Sequence, residues 1–272
     1  MRRLLALLLL LPFAPHAAAA ESYDGCAGFI DALPTTVSTQ GTWCLRKDLA
    51  TSITGGAAIM VTANNVTIDC NGFKLGGIGA GPASQASGVY AQDRLNITVR
   101  NCAIRGFHAG VRLIGNGGGH LVEDNRIDQS VATGIHVLGD SNLIQRNRIM
   151  DTGGATSGVG IWAEADIRDN TIDGVIGVTP VGIYPGGWGT EVRGNRVRGV
   201  EPGEGGNANG IITFGGQQSI IDNRVIGRSD GITVGVAIIS AGETNAFCRD
   251  NLVAHYATAI YSCGDNGGNV VH

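Results

Sequence analysis

The sequence predicts an all-β solenoid, a coil in which each repeat forms one winding of short strands. Three observations predict it. An Asn-marked motif recurs along the chain, a small residue followed by Val or Ile recurs between the markers, and glycine, at 44 of 272 residues, is about twice as frequent as usual. Charged residues make up only 15% and the formal net charge is −4, which fits neither a disordered chain nor a strongly basic nucleic-acid binder.

Residues 1–20 stand apart from the coil. Arg2 and Arg3 precede the apolar run Leu4 to Leu11, and Ala17 to Ala20 offers an A-x-A cleavage site, which reads as a secretory signal peptide. The apolar run is shorter than the ~20 residues that span a bilayer, so no membrane span is expected once the signal is removed. The destination is then secreted or periplasmic. Loss of the two arginines leaves 17 − 23 = −6 for the mature chain. Six cysteines in an exported chain meet an oxidising compartment where they can pair. Cys26 and Cys44 bracket a stretch without the repeat and are expected to staple an N-terminal cap over residues 21–57. Cys70 with Cys102 and Cys248 with Cys263 are expected from position alone.

The coil itself is expected over residues 58–272. Its first signature is an apolar residue, two variable residues, a marker, one variable residue and a second apolar residue. The markers are Asn71, Cys102, Asn125, Asn147, Asn170, Asn195, Asn223 and Asn251, at intervals of 31, 23, 22, 23, 25, 28 and 28. Three residues before them stand Ile68, Val99, Val122, Ile144, Ile167, Val192, Ile220 and Cys248; two residues after stand Phe73, Ile104, Ile127, Ile149, Ile172, Val197, Val225 and Val253. Between markers come Gly88-Val89, Gly110-Val111, Gly134-Ile135, Gly160-Ile161, Gly182-Ile183, Gly210-Ile211, Gly231-Ile232 and Ala259-Ile260. Short β-branched runs separated by Gly, Asn and Asp make each repeat a few strands joined by bends. Such a unit cannot bury its own apolar face, whereas stacking about eight windings at ~4.8 Å lines Ile and Val into inward columns. Asn suits the marker because it tolerates a left-handed bend and its amide can bond within a column. Only ten Leu follow position 20, too few for the leucine-rich repeats that share this period.

The repeats, and the segment Ala58 to Leu75 reading AIMVTANNVTIDCNGFKL, resemble right-handed parallel β-helix proteins of the pectin lyase-like superfamily. The resemblance implies the right-handed single-domain β-helix. For activity it implies a range: polysaccharide lyases, glycoside hydrolases, uronate epimerases and proteins with no known activity. The chain lacks the paired Asp-Asp of the family's pectin hydrolases and the D-P-H-D run of alginate epimerases.

If the Val or Ile after each Gly points inward, the next residue points to solvent. That column reads Tyr90, Arg112, His136, Trp162, Tyr184, Ile212, Thr233 and Tyr261. Tyr and Trp together number eight, and four of them fall in these eight slots, so the column is a candidate groove for a sugar polymer, ideally an acidic one. In a β-elimination, Arg112 would neutralise a uronate carboxylate, His136 would take the adjacent proton, and Tyr184 or Tyr90 would protonate the leaving oxygen. Tyr90, Trp162 and Glu164 are the candidate substrate contacts. A non-catalytic adhesin, surface-structure component or periplasmic binding scaffold is the competing class.

Asp140 and Asp166 share an offset of +5 from Ile135 and Ile161. On adjacent windings this predicts carboxylates on the order of 5 Å apart, suited to a retaining hydrolase or to Ca²⁺, the one cofactor the sequence suggests. Arg126, Arg148, Arg196 and Arg224 follow markers, while Asp124, Asp169, Asp222 and Asp250 precede them. This alternation reads first as a solvated face with local ion pairs and, more sharply, as a polyanion-binding strip. The expected partners are a polysaccharide, with no nucleic acid, and a second copy docking end to end on the open stack.

Overall fold

The computed structural model describes residues 23, 25–154, 158–214, 216–227, 231–241 and 246–272. The expected signal peptide lies outside the described residues. Each winding of the coil carries three strands, as in Ala109–Ile114, Leu121–Glu123 and Arg126–Asp128. Every strand pairs in parallel with its counterpart one winding on, through registers such as Val111 with Ile135 and Ile127 with Ile149. In two windings the first and second strands fuse, giving Thr133–Gln145 and Val159–Arg168, and this joins the first two stacks into one 19-stranded sheet. The third stack is a separate sheet of ten strands. Nine steps of ~4.8 Å between ten strands make it about 43 Å long. It gains one winding at each end over the eight markers: Leu49–Ala50 pairs with Lys74–Gly76, and Val270–Val271 pairs with Leu252–Ala254. Strands Gly28–Ile30 and Gly41–Leu45 pair with each other, and the latter continues onto Val66–Asp69. Among the described residues no helix is long and apolar enough to cross a membrane.

The apolar column from Ile68 to Cys248 stacks residue on residue in register and is fully buried. The column after the marker runs from Ile104 through Ile127, Ile149, Ile172, Val197 and Val225 to Val253, also buried. Before Ile104 the column continues through Leu75, rather than Phe73, to Leu49, because Asn71 and Gly72 both turn left-handed and lengthen that corner. The same bend removes Asn71 from the marker column; its amide donates instead to the Leu45 carbonyl at 3.1 Å.

From Asn125 onward the markers form an unbroken ladder. The Oδ1 of Asn147 accepts from both the backbone N–H and the Nδ2 of Asn125, and the pattern repeats through Asn170, Asn195, Asn223 and Asn251 to Asn269. The left-handed residue of each corner is the one before the Asn: Asp124, Arg146, Asp169, Gly194, Asp222 and Asp250. Asn is therefore required for its amide, which satisfies buried backbone groups at the bend, more than for its backbone tolerance. At the head of the ladder Cys102 donates its N–H to Asn125 Oδ1 and is bonded to Cys70, so a disulfide replaces an amide rung. All three expected disulfides are present, Cys26–Cys44, Cys70–Cys102 and Cys248–Cys263.

The small residue before each inward Val or Ile has a steric cause. A Cβ on Gly134 would lie 2.6 Å from the Gly160 carbonyl oxygen and 2.7 Å from Ile149 Cγ2, closer than atoms can approach, and Gly110, Gly160 and Gly182 are hemmed in alike. The seventh member of this series is Ala237-Ile238, not Gly231-Ile232: Ile238 stacks between Ile211 and Ile260, while Ile232 is exposed. A register shift between Thr233 and Val236, with Gly235 at φ 137°, lies between the false dipeptide Gly231-Ile232 and the true one.

Candidate functional site

Alternation along the first strand of each winding sets the outward column. In Gly160-Ile161-Trp162-Ala163-Glu164 the Ile and Ala are fully buried, which turns Trp162 and Glu164 to the outer face. Parallel pairing then stacks Met60, Tyr90, Arg112, His136, Trp162 and Tyr184 directly, one per winding. Further on, Ile212 pairs with Ile239 and Ile239 with Tyr261. Thr233 does not belong to the column; the register shift places it in the interior and Ile239 takes its slot.

Ring contacts run along much of the column. The Arg112 guanidinium carbon lies 5.5 Å from the Tyr90 ring centre. His136 stacks on Trp162 at 4.4 Å, Trp162 meets Tyr184 edge-on at 5.6 Å, and Tyr184 meets Phe214 at 5.5 Å. Trp162 is 39% exposed and Phe214 58%, so the strip presents aromatic surface to solvent. Tyr90 Oη donates to Gln92 Oε1 at 2.6 Å. Arg112 has no carboxylate within ion-pair distance among the described residues.

Burial first, and the neighbouring Arg112 charge second, hold the His136 pKa down at about 4. The imidazole is therefore neutral above that pH, in the state that can accept a proton, though as a weak base. Its Nε2 is enclosed without a hydrogen-bond partner.

Two clefts flank the column. Turns leading into the column strands line one of about 660 Å³, with Gln85, His108, Gln129 and Asp151 among its polar groups. Turns leaving them line a second of about 630 Å³, with Asp140, Ser141, Glu164, Asp166, Trp188 and Thr190. Trp188 is 75% exposed there. The expected carboxylate pair is not formed by equal offsets. Asp166 pairs in register with Leu143, because four residues, 138–141, bulge out opposite the single residue Glu164. Asp140 is exposed on that bulge, while Asp166 is engaged by Arg168 at 2.7 Å and by the Glu191 N–H at 2.9 Å. Glu164 accepts from the Gly139 N–H at 2.8 Å, which pins the bulge. The described residues contain no group of three or more His, Cys, Asp or Glu that could hold a metal ion.

Three residues at this face escape a reading by alternation. Met60 belongs to the column one winding before the first Gly-Val pair. Phe214 and His108 stand in loops, where period-two patterning carries no signal. Burial also lowers the His108 pKa, and its Nδ1 has no hydrogen-bond partner.

The family model described as right handed beta helix region matches residues 48–197. No curated protein matches the sequence. Among solved structures, the Dettilon tailspike protein is similar in fold, with a TM-score of 0.50 and 16% identity over 89% of this chain and 56% of that one. This chain thus spans little more than half the tailspike's length. A DFA-IIIase mutant from Arthrobacter chlorophenolicus A6 aligns over 84% of this chain and 75% of its own at 11% identity, with a TM-score of 0.30.

Proposed function

Since the chain belongs to the right-handed β-helix family, we propose that it is an exported protein that binds a polysaccharide, ideally an acidic one, along the strip from Tyr90 to Phe214. The observation that carries this reading is the geometry of the strip between two clefts: Tyr90 to Tyr184 stand in register one per winding, Arg112 lies over Tyr90, and His136, Trp162, Tyr184 and the loop residue Phe214 form a continuous run of ring contacts. One rung every ~4.8 Å suits a polymer lying along the coil, and aromatic faces suit the apolar face of a pyranose ring. Arg112, without a carboxylate partner among the described residues, is the anion contact; Tyr90, Trp162 and Glu164 contact the sugars. Export is supported by the signal-like leader and by three disulfides, which persist in oxidising compartments.

If the strip also cleaves its ligand, the reaction its residues support is β-elimination. Arg112 pairs with the uronate carboxylate and acidifies the adjacent C–H. His136 takes that proton, the electron pair forms the double bond, and Tyr184 protonates the departing oxygen. A low pKa and an enclosed Nε2 favour the second reading, a binding scaffold without catalysis. Incubation with polygalacturonate and alginate separates them: an ultraviolet-absorbing unsaturated uronate supports elimination, and retention on the polymer without that product supports the scaffold. Equal retention of the native chain and of a Trp162→Ala/Tyr184→Ala variant on every polysaccharide tried would remove the strip as the binding face.

A further inference from the structure

A second column lies on the ten-stranded sheet, which does not carry the aromatic strip. Arg126, Arg148, Arg196 and Arg224 each open a third strand directly after a buried Asn. Register places Arg126 against Arg148 and Arg196 against Arg224, with Thr171 between the pairs. All four are exposed, and none has a carboxylate within ion-pair distance among the described residues. Four nearby acids are engaged by other arginines, Asp124 by Arg146, Asp250 by Arg249, Asp128 by Arg105 and Asp173 by Arg198, while the charges of Asp169 and Asp222 act on Arg193. The Arg148 Nε donates to the Met150 sulfur at 3.1 Å, and among the described residues no carboxylate offsets its charge.

Like charges directly opposite on neighbouring strands repel. Here two such pairs stand in line on a chain whose formal net charge is −4, so the cations are gathered rather than scattered. An anion laid along the column relieves that repulsion. We propose that this column is a second binding surface, for a linear carboxylated polysaccharide running along the coil axis. A step of ~4.8 Å per winding is comparable to the advance of one sugar ring in an extended chain. The guanidinium fork matches a carboxylate in two parallel hydrogen bonds. A polynucleotide fits less well, since the chain as a whole is acidic and lacks the broad basic surface that nucleic-acid binders present. This surface goes beyond the function proposed above and does not depend on it.

The test uses the full chain, a variant with Arg126→Gln, Arg148→Gln, Arg196→Gln and Arg224→Gln, and the Trp162→Ala/Tyr184→Ala variant. Binding is measured to polygalacturonate, neutral dextran and single-stranded DNA between about 50 and 200 mM salt. The four-Gln variant should bind polygalacturonate about tenfold more weakly at the low end, with a flatter salt dependence, since four exposed ion pairs each contribute modestly. The aromatic-strip variant should keep the salt-sensitive component, so failure of one surface is read separately from failure of the other. Circular dichroism and an unfolding midpoint check the fold, with Arg196→Gln/Arg224→Gln alone as the milder form. Identical affinity and salt slope in the native and four-Gln chains, no salt-sensitive binding of the native chain to polygalacturonate, or tighter binding to DNA than to the glycan would each overturn the proposal.

Discussion

The His136 imidazole lies flat against the Trp162 indole, with ring centres 4.4 Å apart and planes 13° from parallel. Because burial is the first cause of its low pKa and the Arg112 charge the second, the two can be separated by mutation. Trp162→Ala should open Nε2 to water and raise the His136 pKa from about 4 toward the ordinary histidine value near 6.5. Arg112→Gln should raise it by less. Imidazole shifts followed by NMR against pH give both values. A titration unmoved by Trp162→Ala would contradict the burial account.

His120 predicts how stability responds to acid. Its side chain is buried, its Nδ1 accepts the Ile97 N–H at 3.2 Å, and burial lowers its pKa to about 4. The unfolded chain takes up this proton near pH 6.5, while the folded chain resists until about 4. Across that window the unfolded state holds more protons, so stability rises with pH and is lost on acidification. The loss is on the order of 3 kcal/mol for His120, with His136 acting in the same direction. Urea unfolding at a series of pH values should show this slope, and His120→Gln should flatten it. An unchanged slope in the variant would assign the acid sensitivity elsewhere.

The Asn ladder makes a sharper stability prediction. Asn170 accepts from two groups of Asn147 and donates to the carbonyls of Ile144 and Arg168 and to Asn195 Oδ1. Asn170→Ala strips partners from several buried groups at once and should cost about 3 kcal/mol or more. Asn71→Gly keeps the left-handed bend and removes one half-buried bond, so it should cost about 1 kcal/mol. Chemical unfolding midpoints compare the two. Equal losses would mean that ladder membership confers nothing.

Both the coil and the aromatic column are legible in the sequence for one reason: a parallel coil converts sequence offsets into spatial neighbours wherever windings keep their length. Between Val89 and Ile183 the inward pairs repeat without interruption, and Tyr90 to Tyr184 stack as their positions imply. Legibility ends where a winding bulges. Residues 138–141 carry Asp140 off the level of Asp166, and the shift beside Gly235 moves Thr233 indoors. Loop residues that complete the strip, Phe214 above all, obey no period. The pairing of charges was also hidden, because Asp124 and Asp250, two of the acids before the markers, turn toward Arg146 and Arg249 instead of toward the arginines after the markers.

The Cys70–Cys102 bond closes a loop with a sequence separation of 32 and stands where the amide ladder would otherwise begin. Replacing both cysteines by Ala should lower stability by about 3 kcal/mol through the freed unfolded chain. The buried Asn125 Oδ1 still accepts from the backbone N–H of residue 102, so the ladder below should persist. Hydrogen exchange at Asn147 and Asn170 tests that persistence. Loss of protection there would show the disulfide to be the ladder's anchor rather than its substitute.

Glycine substitutions test the stacking distance itself. At Gly134 a single methyl group meets the Gly160 carbonyl oxygen at 2.6 Å, and that oxygen belongs to the next winding, so relief requires two windings to part. Overpacking of this kind costs about 1–3 kcal/mol where the surroundings can shift, and a stacked coil shifts only by loosening a whole rung. Gly134→Ala should therefore fall at or above the upper end of that range and weaken protection of the neighbouring strands on both sides. Gly55→Ala, with nothing within 4 Å of its added Cβ and no positive φ, should change stability by no more than about 0.5 kcal/mol. If the two substitutions prove equally mild, the windings are farther apart at Gly134 than parallel pairing allows, and the columns built on that pairing separate with them.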